Sequence, residues 1–405
     1  MTKIYDWILI GAGITGSALA YELGKLGLEV LLLDQSADGD IPAESLSASG
    51  HERDRATRYS YGGVHWYGNS GDMGKLFQEG KARHEQLSDE LGMDTEYRPV
   101  NLLFTVDPGQ DVERTIAAYE QMSDPFQILS PQEACEIEPL LNPEAIVHAL
   151  ILEQAQVNPI LLNQAYQQAM IRQGGAMEMG EVQELENHRD RSYSVSTSED
   201  IYRAKNVVVC AGGWTRQLLK QAGIDIPIYF THAELIEILE TNQRLSSFVI
   251  PSQTQLYQLE TVSSRPELEF LWDEPGHELA PAIVDTSAVQ FQDGRLLLGQ
   301  LSRTVTDPQA QVNPQKSEQE IRQKVGQVLP ALAQEPGTWH SCLVAFVHQN
   351  FAIMGAVPKR EGLYVFSGFT APMTLVPAIA PRFARQLTGT PDPLLSPFIL
   401  KSNEY

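Results

Sequence analysis

Cysteine is scarce in this chain of 405 residues, which contains only Cys135, Cys210 and Cys342. Three widely separated thiols exclude a disulfide framework and a cysteine-based zinc site. The histidines show no paired spacing typical of metal ligands, so we expect no metal. Sparse cysteine is typical of a reducing compartment, and the N-terminus has no charged-then-apolar leader. We therefore expect a cytoplasmic protein.

Positive charge and long hydrophobic runs are also in short supply. Lys and Arg total 29 against 52 Asp and Glu, which gives a formal net charge of −23. Like-charge repulsion makes nucleic acid or an anionic membrane surface an unsuitable partner. The one long uncharged stretch, from Leu363 to Pro381, also contains Pro372 and Pro377. It predicts a buried strand, a loop and a short helix from Ala378 rather than a membrane span.

The most informative segment that is present is a glycine cluster near the N-terminus. An apolar run ends at Gly11-Ala12-Gly13-Ile14-Thr15-Gly16, a helical pattern follows, and a second apolar run ends in Asp34. Gly11 permits a sharp turn, and Gly13 leaves room for a pyrophosphate, which binds the N–H groups at a helix N-terminus. Asp34 would accept hydrogen bonds from an adenosine ribose, which argues against a 2′-phosphorylated cofactor. The segment predicts a dinucleotide-binding βαβ unit.

The rest of the chain indicates two domains. Its length is too great for one hydrophobic core. Strand, glycine turn and helix patterns recur near residues 210 and 368, whereas 226–336 contains longer β-like segments. These segments predict a mainly antiparallel sheet in a second domain.

Taken in order, the segments resemble the amine-oxidising flavoproteins of the D-amino-acid oxidase superfamily, in particular its sarcosine-oxidase-like and glycine-oxidase-like members. The most specific likeness lies in residues 49–62, Ser-Gly-His-Glu-Arg-Asp-Arg-Ala-Thr-Arg-Tyr-Ser-Tyr-Gly. It is similar to the sarcosine-oxidase segment Ser-His-His-Gly-Asp-Thr-Arg-Ile-Ile-Arg-His-Ala-Tyr-Gly. The resemblance implies two catalytic residues, Arg55 beside the flavin ring and Arg58 on a substrate carboxylate. Tyr61 and Met373 are further candidates for the substrate pocket.

The resemblance also implies FAD, rather than NAD, as the cofactor. The residues expected to contact it are Gly11, Ala12, Gly13, Ile14, Thr15, Gly16, Asp34, Gln35, Ser49, His51, Arg55, Val182, Ala211, Gly212, Trp214, Cys342, Gly368, Phe369 and Thr370. Cys342 matches the cysteine that sarcosine-oxidase-like members bond to the flavin. That bond needs nearby positive charge to lower the thiol pKa, from His340, Arg55 or His348. Alternatively, Cys342 is a small apolar residue in a buried strand.

In this family the substrate domain interrupts the nucleotide-binding domain. We therefore predict an α/β fold with a discontinuous Rossmann-like FAD-binding domain in residues 1–80, 150–225 and 340–405. Residues 81–149 and 226–339 would form a second, α+β substrate domain with a mainly antiparallel sheet.

The expected reaction removes hydride equivalents from a carbon that bears an amine and gives an imine, with a sarcosine-like amino acid or similar amine as substrate. Two lysines of sarcosine-oxidase-like members are replaced here, by Leu297 where oxygen is activated and by Leu375 near the substrate carboxylate. Electrons therefore pass either to O₂ or to a quinone or carrier protein. Arg58 binds a carboxylate or forms a structural ion pair. An NAD-dependent dehydrogenase and a non-catalytic flavin-fold binding protein remain alternatives.

Overall fold

The computed structural model of the chain describes residues 3–35, 56–120, 125–252 and 255–400. Its strands, in chain order, are β1 (Ile4–Ile10), β2 (Val30–Asp34), β3 (Gly63–Val64), β4 (Arg98–Val106), β5 (Gln127–Leu129), β6 (His148–Gln156), β7 (Ala176–Met179), β8 (Val182–Asn187), β9 (Tyr193–Thr197), β10 (Ile201–Val209), β11 (Tyr229–Ile238), β12 (Ser247–Pro251), β13 (Ile283–Val284), β14 (Ala288–Gln290), β15 (Leu296–Arg303), β16 (Thr338–Phe346), β17 (Ile353–Ala356) and β18 (Leu363–Ser367). The helices are α1 (Ile14–Lys25), α2 (Gly71–Leu91), α3 (Val112–Glu120), α4 (Pro131–Ile137), α5 (Pro159–Arg172), α6 (Thr215–Gln221), α7 (Leu256–Ser263), α8 (Pro314–Val328) and α9 (Pro372–Leu387). Short 3₁₀ helices span Pro143–Ala145, Gly212–Trp214, Pro266–Asp273, Pro330–Leu332 and Pro393–Phe398.

The first sheet has a parallel centre. Its order is β17-β18-β10-β1-β2-β7, with β9 beside β10 and β8 beside β9. β1, β2, β10 and β18 run parallel, so their carboxyl ends meet at one edge. Helices α1, α5 and α9 pack together over one face of this sheet, and α6 lies on the other. Because ligands of such sheets bind beyond the carboxyl ends of the strands, this edge is where a nucleotide site is expected.

The second sheet is mainly antiparallel. Its order is β16-β11-β15-β14-β12-β4-β6-β3, with β13 beside β15 and β5 beside β6. The pairing of β12 with β4 is parallel, and the other pairings between its strands are antiparallel. The predicted fold class is therefore confirmed. β6 and β16 both belong to this sheet, and the predicted domain boundaries at 150 and 340 fall inside these strands. The division into domains stays a prediction.

The predicted helix from Ala378 is present, but its predicted start was wrong, because α9 begins at Pro372 and continues through Pro377 and Pro381. A proline inside a helix leaves the carbonyl four residues earlier without its usual N–H partner. For Pro377 that carbonyl belongs to Met373, and it lies 2.6 Å from Nε2 of buried His84. A carbonyl oxygen can only accept, so Nε2 donates, and burial lowers the pKa of His84 to about 4, which keeps the ring neutral. In the described part of the chain no helix is both long and apolar enough to cross a membrane.

Candidate active site

A cavity of about 430 Å³ extends from the carboxyl edge of the first sheet to strands β11 and β16 of the second. At the first sheet it is lined by the glycine turn after β1, the end of β2 and the start of β8. It continues past the glycine turns after β10 and β18. At the second sheet its lining includes Tyr59, Tyr61, Leu235, Gln300 and Cys342. The cavity is therefore elongated, with its two ends on different sheets.

The glycine turn after β1 is held in place by a cluster of buried hydrogen bonds. Gly11 has φ +103°, and a Cβ there would lie 2.5 Å from the carbonyl oxygen of Cys210, so this position accepts glycine alone. The Ala12 carbonyl accepts hydrogen bonds from Ser17 Oγ, Asn163 Nδ2 and Gln167 Nε2, each at 3.0 Å. Two of these donors project from α5, which packs against α1. The turn is thus fixed before any ligand binds.

Two side chains accept hydrogen bonds from backbone N–H groups around the glycine turn. Asp34, at the end of β2, accepts the Ala12 N–H through Oδ2 at 2.6 Å. Thr57 Oγ1 accepts the N–H of Ile14, the first residue of α1, at 3.1 Å. The Ala12 bond orients the Asp34 carboxylate where it lines the cavity. Thr57 lines the cavity too, and it is a site residue that the sequence analysis missed.

The second-sheet end of the cavity is lined by the thiol of Cys342, the phenols of Tyr59 and Tyr61, and the apolar side chain of Leu235. Cys342 on β16 is buried in one cluster with Tyr59, Leu235 and Leu297. Leu297 is fully buried, so an aliphatic side chain stands where the resemblance expects a lysine. Tyr61 donates its hydroxyl to the Gly299 carbonyl. Burial, together with the charges of Asp285 and Cys342, raises the pKa of Tyr61 far above its usual value, so this phenol stays neutral.

Arg58 does not line the cavity. Its side chain is about half exposed, with Nη2 3.8 Å from Glu237 Oε2 and its guanidinium 5.6 Å from the centre of the Tyr59 ring. This contact matches the structural ion pair that the sequence analysis kept as an alternative. Carboxylate binding by Arg58 stays a prediction.

The structure brings most of the sequence-predicted residues together around the one cavity. Those that line it are Gly11, Gly13, Ile14, Thr15, Asp34, Gln35, Tyr61, Val182, Ala211, Gly212, Trp214, Cys342, Gly368, Phe369 and Met373. Ala12 and Gly16 belong to the glycine turn but do not line the cavity. Thr370 does not line it either, and its N–H donates a hydrogen bond to the Phe351 carbonyl at 2.8 Å. Ser49, His51 and Arg55 lie outside the described residues. The individual roles of all these residues stay predictions.

The sequence analysis missed residues that act through distant contacts. In the sequence, Asn163 and Gln167 occupy polar positions of an amphipathic helix, and nothing there links them to Ala12. Glu237 lies within β11 with no motif around it. His340 was considered only as a neighbour of Cys342, whereas its Nδ1 lies 3.0 Å from the Tyr59 hydroxyl.

The geometry defines a dinucleotide site that opens onto a second sheet. A sharp glycine turn, the N-terminus of α1 and the oriented Asp34 carboxylate provide what a pyrophosphate and a ribose require. The opposite end is lined by Tyr59 and Cys342, beside the second sheet. The residues present therefore fit FAD.

Comparisons with known proteins agree with this geometry. The family model "FAD dependent oxidoreductase" matches residues 6–386, and the chain belongs to this family. Glycine oxidase of Geobacillus kaustophilus is 25% identical over 247 residues, 59% of this chain and 62% of that protein. Monomeric sarcosine oxidase of Streptomyces avermitilis is 30% identical over 234 residues, 56% of this chain and 57% of that protein. The matches thus span about 60% of these relatives' lengths.

The fold agrees over a longer stretch than the sequence. The crystal structure of glycine oxidase from Geobacillus kaustophilus superposes with a TM-score of 0.76 at 19% identity, covering 100% of both chains. The predicted family and the predicted cofactor, FAD, are confirmed by these comparisons.

Proposed function

We propose that this protein oxidises the C–N bond of a small amine or amino acid to an imine, with FAD as the oxidant. The observation that carries this proposal is the single cavity that joins the glycine turn of the first sheet to β11 and β16 of the second. The relatives named glycine oxidase and sarcosine oxidase support the substrate class. A sarcosine-like N-methyl amino acid is our first candidate, and the cytoplasmic location stays a prediction.

The residues of the first sheet would hold the cofactor. The N-terminus of α1 would face the pyrophosphate, and Asp34, oriented by Ala12, would accept the ribose hydroxyls. When bound, FAD supplies the acceptor for two electrons and a proton from the substrate carbon. The chain itself must orient the C–H bond, deprotonate the amine and exclude water.

The acceptor of the electrons is a second element of the proposal. Leu297 is a fully buried aliphatic side chain, so it provides no positive charge for oxygen reduction. Leu375 is fully buried in α9 and lies in the core on the first-sheet side. The replacement at Leu297 favours a quinone or carrier protein over O₂, whereas the one at Leu375 concerns the substrate carboxylate. Stopped-flow mixing of the reduced protein with O₂ or with a quinone distinguishes these acceptors.

Covalent attachment of the flavin through Cys342 is a third element. The thiol lines the cavity, as the bond would require. Mass spectrometry of the denatured chain tests this bond, because a covalent flavin increases the mass of the polypeptide. A chain of unmodified mass would remove attachment and leave the redox proposal intact.

The decisive experiment is anaerobic mixing of the purified protein with a panel of primary and secondary amino acids and of matched amines that lack the carboxylate. Loss of the oxidised flavin absorption with at least one compound is expected. A colourless protein would contradict FAD binding and favour the NAD-dependent alternative. A flavin that stays oxidised with every compound would favour a non-catalytic binding protein.

A further inference from the structure

A buried row of polar side chains connects the second sheet to the cavity. The Tyr59 hydroxyl lies 3.0 Å from His340 Nδ1, and His340 Nε2 lies 3.4 Å from Glu237 Oε2. All three residues are less than 10% exposed. Tyr59 also lines the cavity, so one end of the row reaches the place where a substrate would bind.

The register of β11 and β16 explains why these residues meet. The strands are antiparallel, with Leu235 opposite His340 and Ala233 opposite Cys342. Side chains two residues apart share a face of a strand, so His340 lies on the face of Cys342, and Glu237 on the face of Leu235. Cys342 and Leu235 both line the cavity. The sheet itself therefore directs His340 and Glu237 towards the cavity side.

The charges around Glu237 keep it ionised. Burial alone would raise its pKa, but His340 at 3.4 Å and the charges of Arg58 and Arg295 outweigh burial and lower the pKa to about 2. Arg295 Nη1 lies 3.1 Å from Glu237 Oε1, and Asp293 is 3.9 Å from the Arg295 guanidinium. A carboxylate facing Nε2 favours the tautomer with the proton on that nitrogen. Nδ1 then accepts the Tyr59 O–H.

We propose that Tyr59 takes a proton from the ammonium group of the bound substrate, with His340 and Glu237 as the residues that position and activate it. This inference rests on the proposed amine oxidation. The substrate N–H bond breaks and its proton goes to Tyr59 Oη, while the hydroxyl proton of Tyr59 moves to His340 Nδ1. Neutral imidazole becomes imidazolium beside the Glu237 carboxylate, and the substrate becomes a neutral amine. This step transfers only protons, and the substrate is oxidised in the hydride transfer that follows.

The arrangement is similar to a catalytic triad of hydroxyl, imidazole and carboxylate, with a phenol in place of the serine hydroxyl. The carboxylate fixes the tautomer and stabilises the imidazolium that forms. A purely structural ion cluster would not need the phenol to reach the cavity. Among the described residues, the charged and titratable groups near the row are Arg58, Arg295, Asp293 and Cys342.

The first test follows anaerobic flavin reduction against pH in the FAD-bound protein. Tyr59→Phe keeps the ring and removes the hydroxyl, and His340→Gln removes the proton acceptor. Each is expected to slow reduction at pH 7 by about 10²-fold, typical of a lost acid–base group, and the variants should recover as the pH approaches the pKa of the free amine. Tyr119→Phe is the matched control, because Tyr119 is another buried phenol and donates to the Ser252 carbonyl at 2.9 Å. It should retain the rate and pH profile of the unmodified protein.

The second test does not depend on turnover. The ¹⁵N NMR spectrum of the ¹⁵N-histidine-labelled protein, with His340→Gln used for assignment, reports the tautomer and charge of His340. We expect a neutral ring with its proton on Nε2 at pH 7, and a downward move of its titration in Glu237→Gln. Tyr59→Phe should change the Nδ1 shift, and Tyr119→Phe should not.

The outcomes separate the two proposals. If no amine reduces the flavin in the unmodified protein, the proposed function fails, and the NMR experiment alone decides whether the hydrogen-bonded row exists. If amines reduce the flavin and Tyr59→Phe keeps both the rate and the pH profile, the relay is refuted. A proton on Nδ1 at pH 7 also refutes it, and this reading on the unmodified protein needs no variant to fold.

Discussion

Replacing Glu237 by glutamine tests the electrostatics of the site through stability. The ordinary pKa of this carboxyl is 4.5, and in the folded protein it is about 2. A difference of roughly 2.5 in pKa corresponds to about 3 kcal/mol in favour of the folded state. Because the folded pKa is the lower one, this contribution is complete above pH 4.5 and disappears as the pH falls towards 2. Glutamine at position 237 removes this stabilising contribution and leaves the buried Arg295 guanidinium without its carboxylate partner.

The assay is urea unfolding followed by tryptophan fluorescence, at pH values from 7 down to 3. Glu237→Gln is expected to lower the free energy of unfolding by about 3 kcal/mol at pH 7. The loss should stay constant down to about pH 4.5 and shrink below that pH. A loss below about 0.5 kcal/mol at pH 7, the size of an ordinary surface substitution, would refute the reasoning. A loss that stays constant between pH 7 and 3 would assign the effect to packing rather than to the charge.

Three further predictions concern other parts of the chain. Burial raises the pKa of Glu260 from 4.5 to about 7, so the destabilising effect of its ionised carboxylate grows as the pH rises from 4.5 to 7. Glu260→Gln should therefore raise the free energy of unfolding at pH 8 by up to about 3 kcal/mol. A decrease in the same urea assay would contradict this prediction. Asn163→Ala removes one of the hydrogen bonds to the Ala12 carbonyl, worth about 1 kcal/mol, and should weaken FAD binding about fivefold by fluorescence titration. Asn206→Ala, which removes a hydrogen bond to the Asp6 carbonyl far from the glycine turn, should leave FAD affinity unchanged, and an equal loss in both variants would contradict the argument. Cys342→Ser should abolish any flavin adduct in the denatured mass, whereas an adduct that persists would place the attachment elsewhere.

The nucleotide half of the site could be predicted because its signals are local. Gly11, the apolar runs around it and Asp34 lie within one βαβ unit, and each residue has a separate physical reason to be there. The glycine turns at Gly212 and Gly368 follow buried strands in the same way. These patterns were sufficient for a dinucleotide-binding unit, and the family resemblance then gave FAD as the cofactor.

The interior of the site could not be predicted, because its contacts join residues far apart in sequence. The bond between Tyr59 and His340 spans 281 positions, and the bond from Asn163 to Ala12 spans 151. The pairing of β11 with β16 brings His340 close to Glu237, and the packing of α5 on α1 brings Asn163 to Ala12.

The prolines of α9 misled the sequence analysis for a related reason. The rule that proline ends a helix assumes that the carbonyl it leaves without a partner stays unsatisfied. Here His84, on α2, donates to the carbonyl of Met373, and the helix continues through Pro377. A partner on another helix thus overrode a local rule.

Amine-dependent reduction of a bound flavin is the central claim, and one spectrum tests it directly. The purified protein is mixed anaerobically with the panel of amino acids and amines, and its visible absorption is recorded. We expect the protein to be yellow and the oxidised flavin bands to disappear with at least one compound. Bands that persist with every member of the panel, in a protein that dithionite reduces normally, would contradict the proposed function.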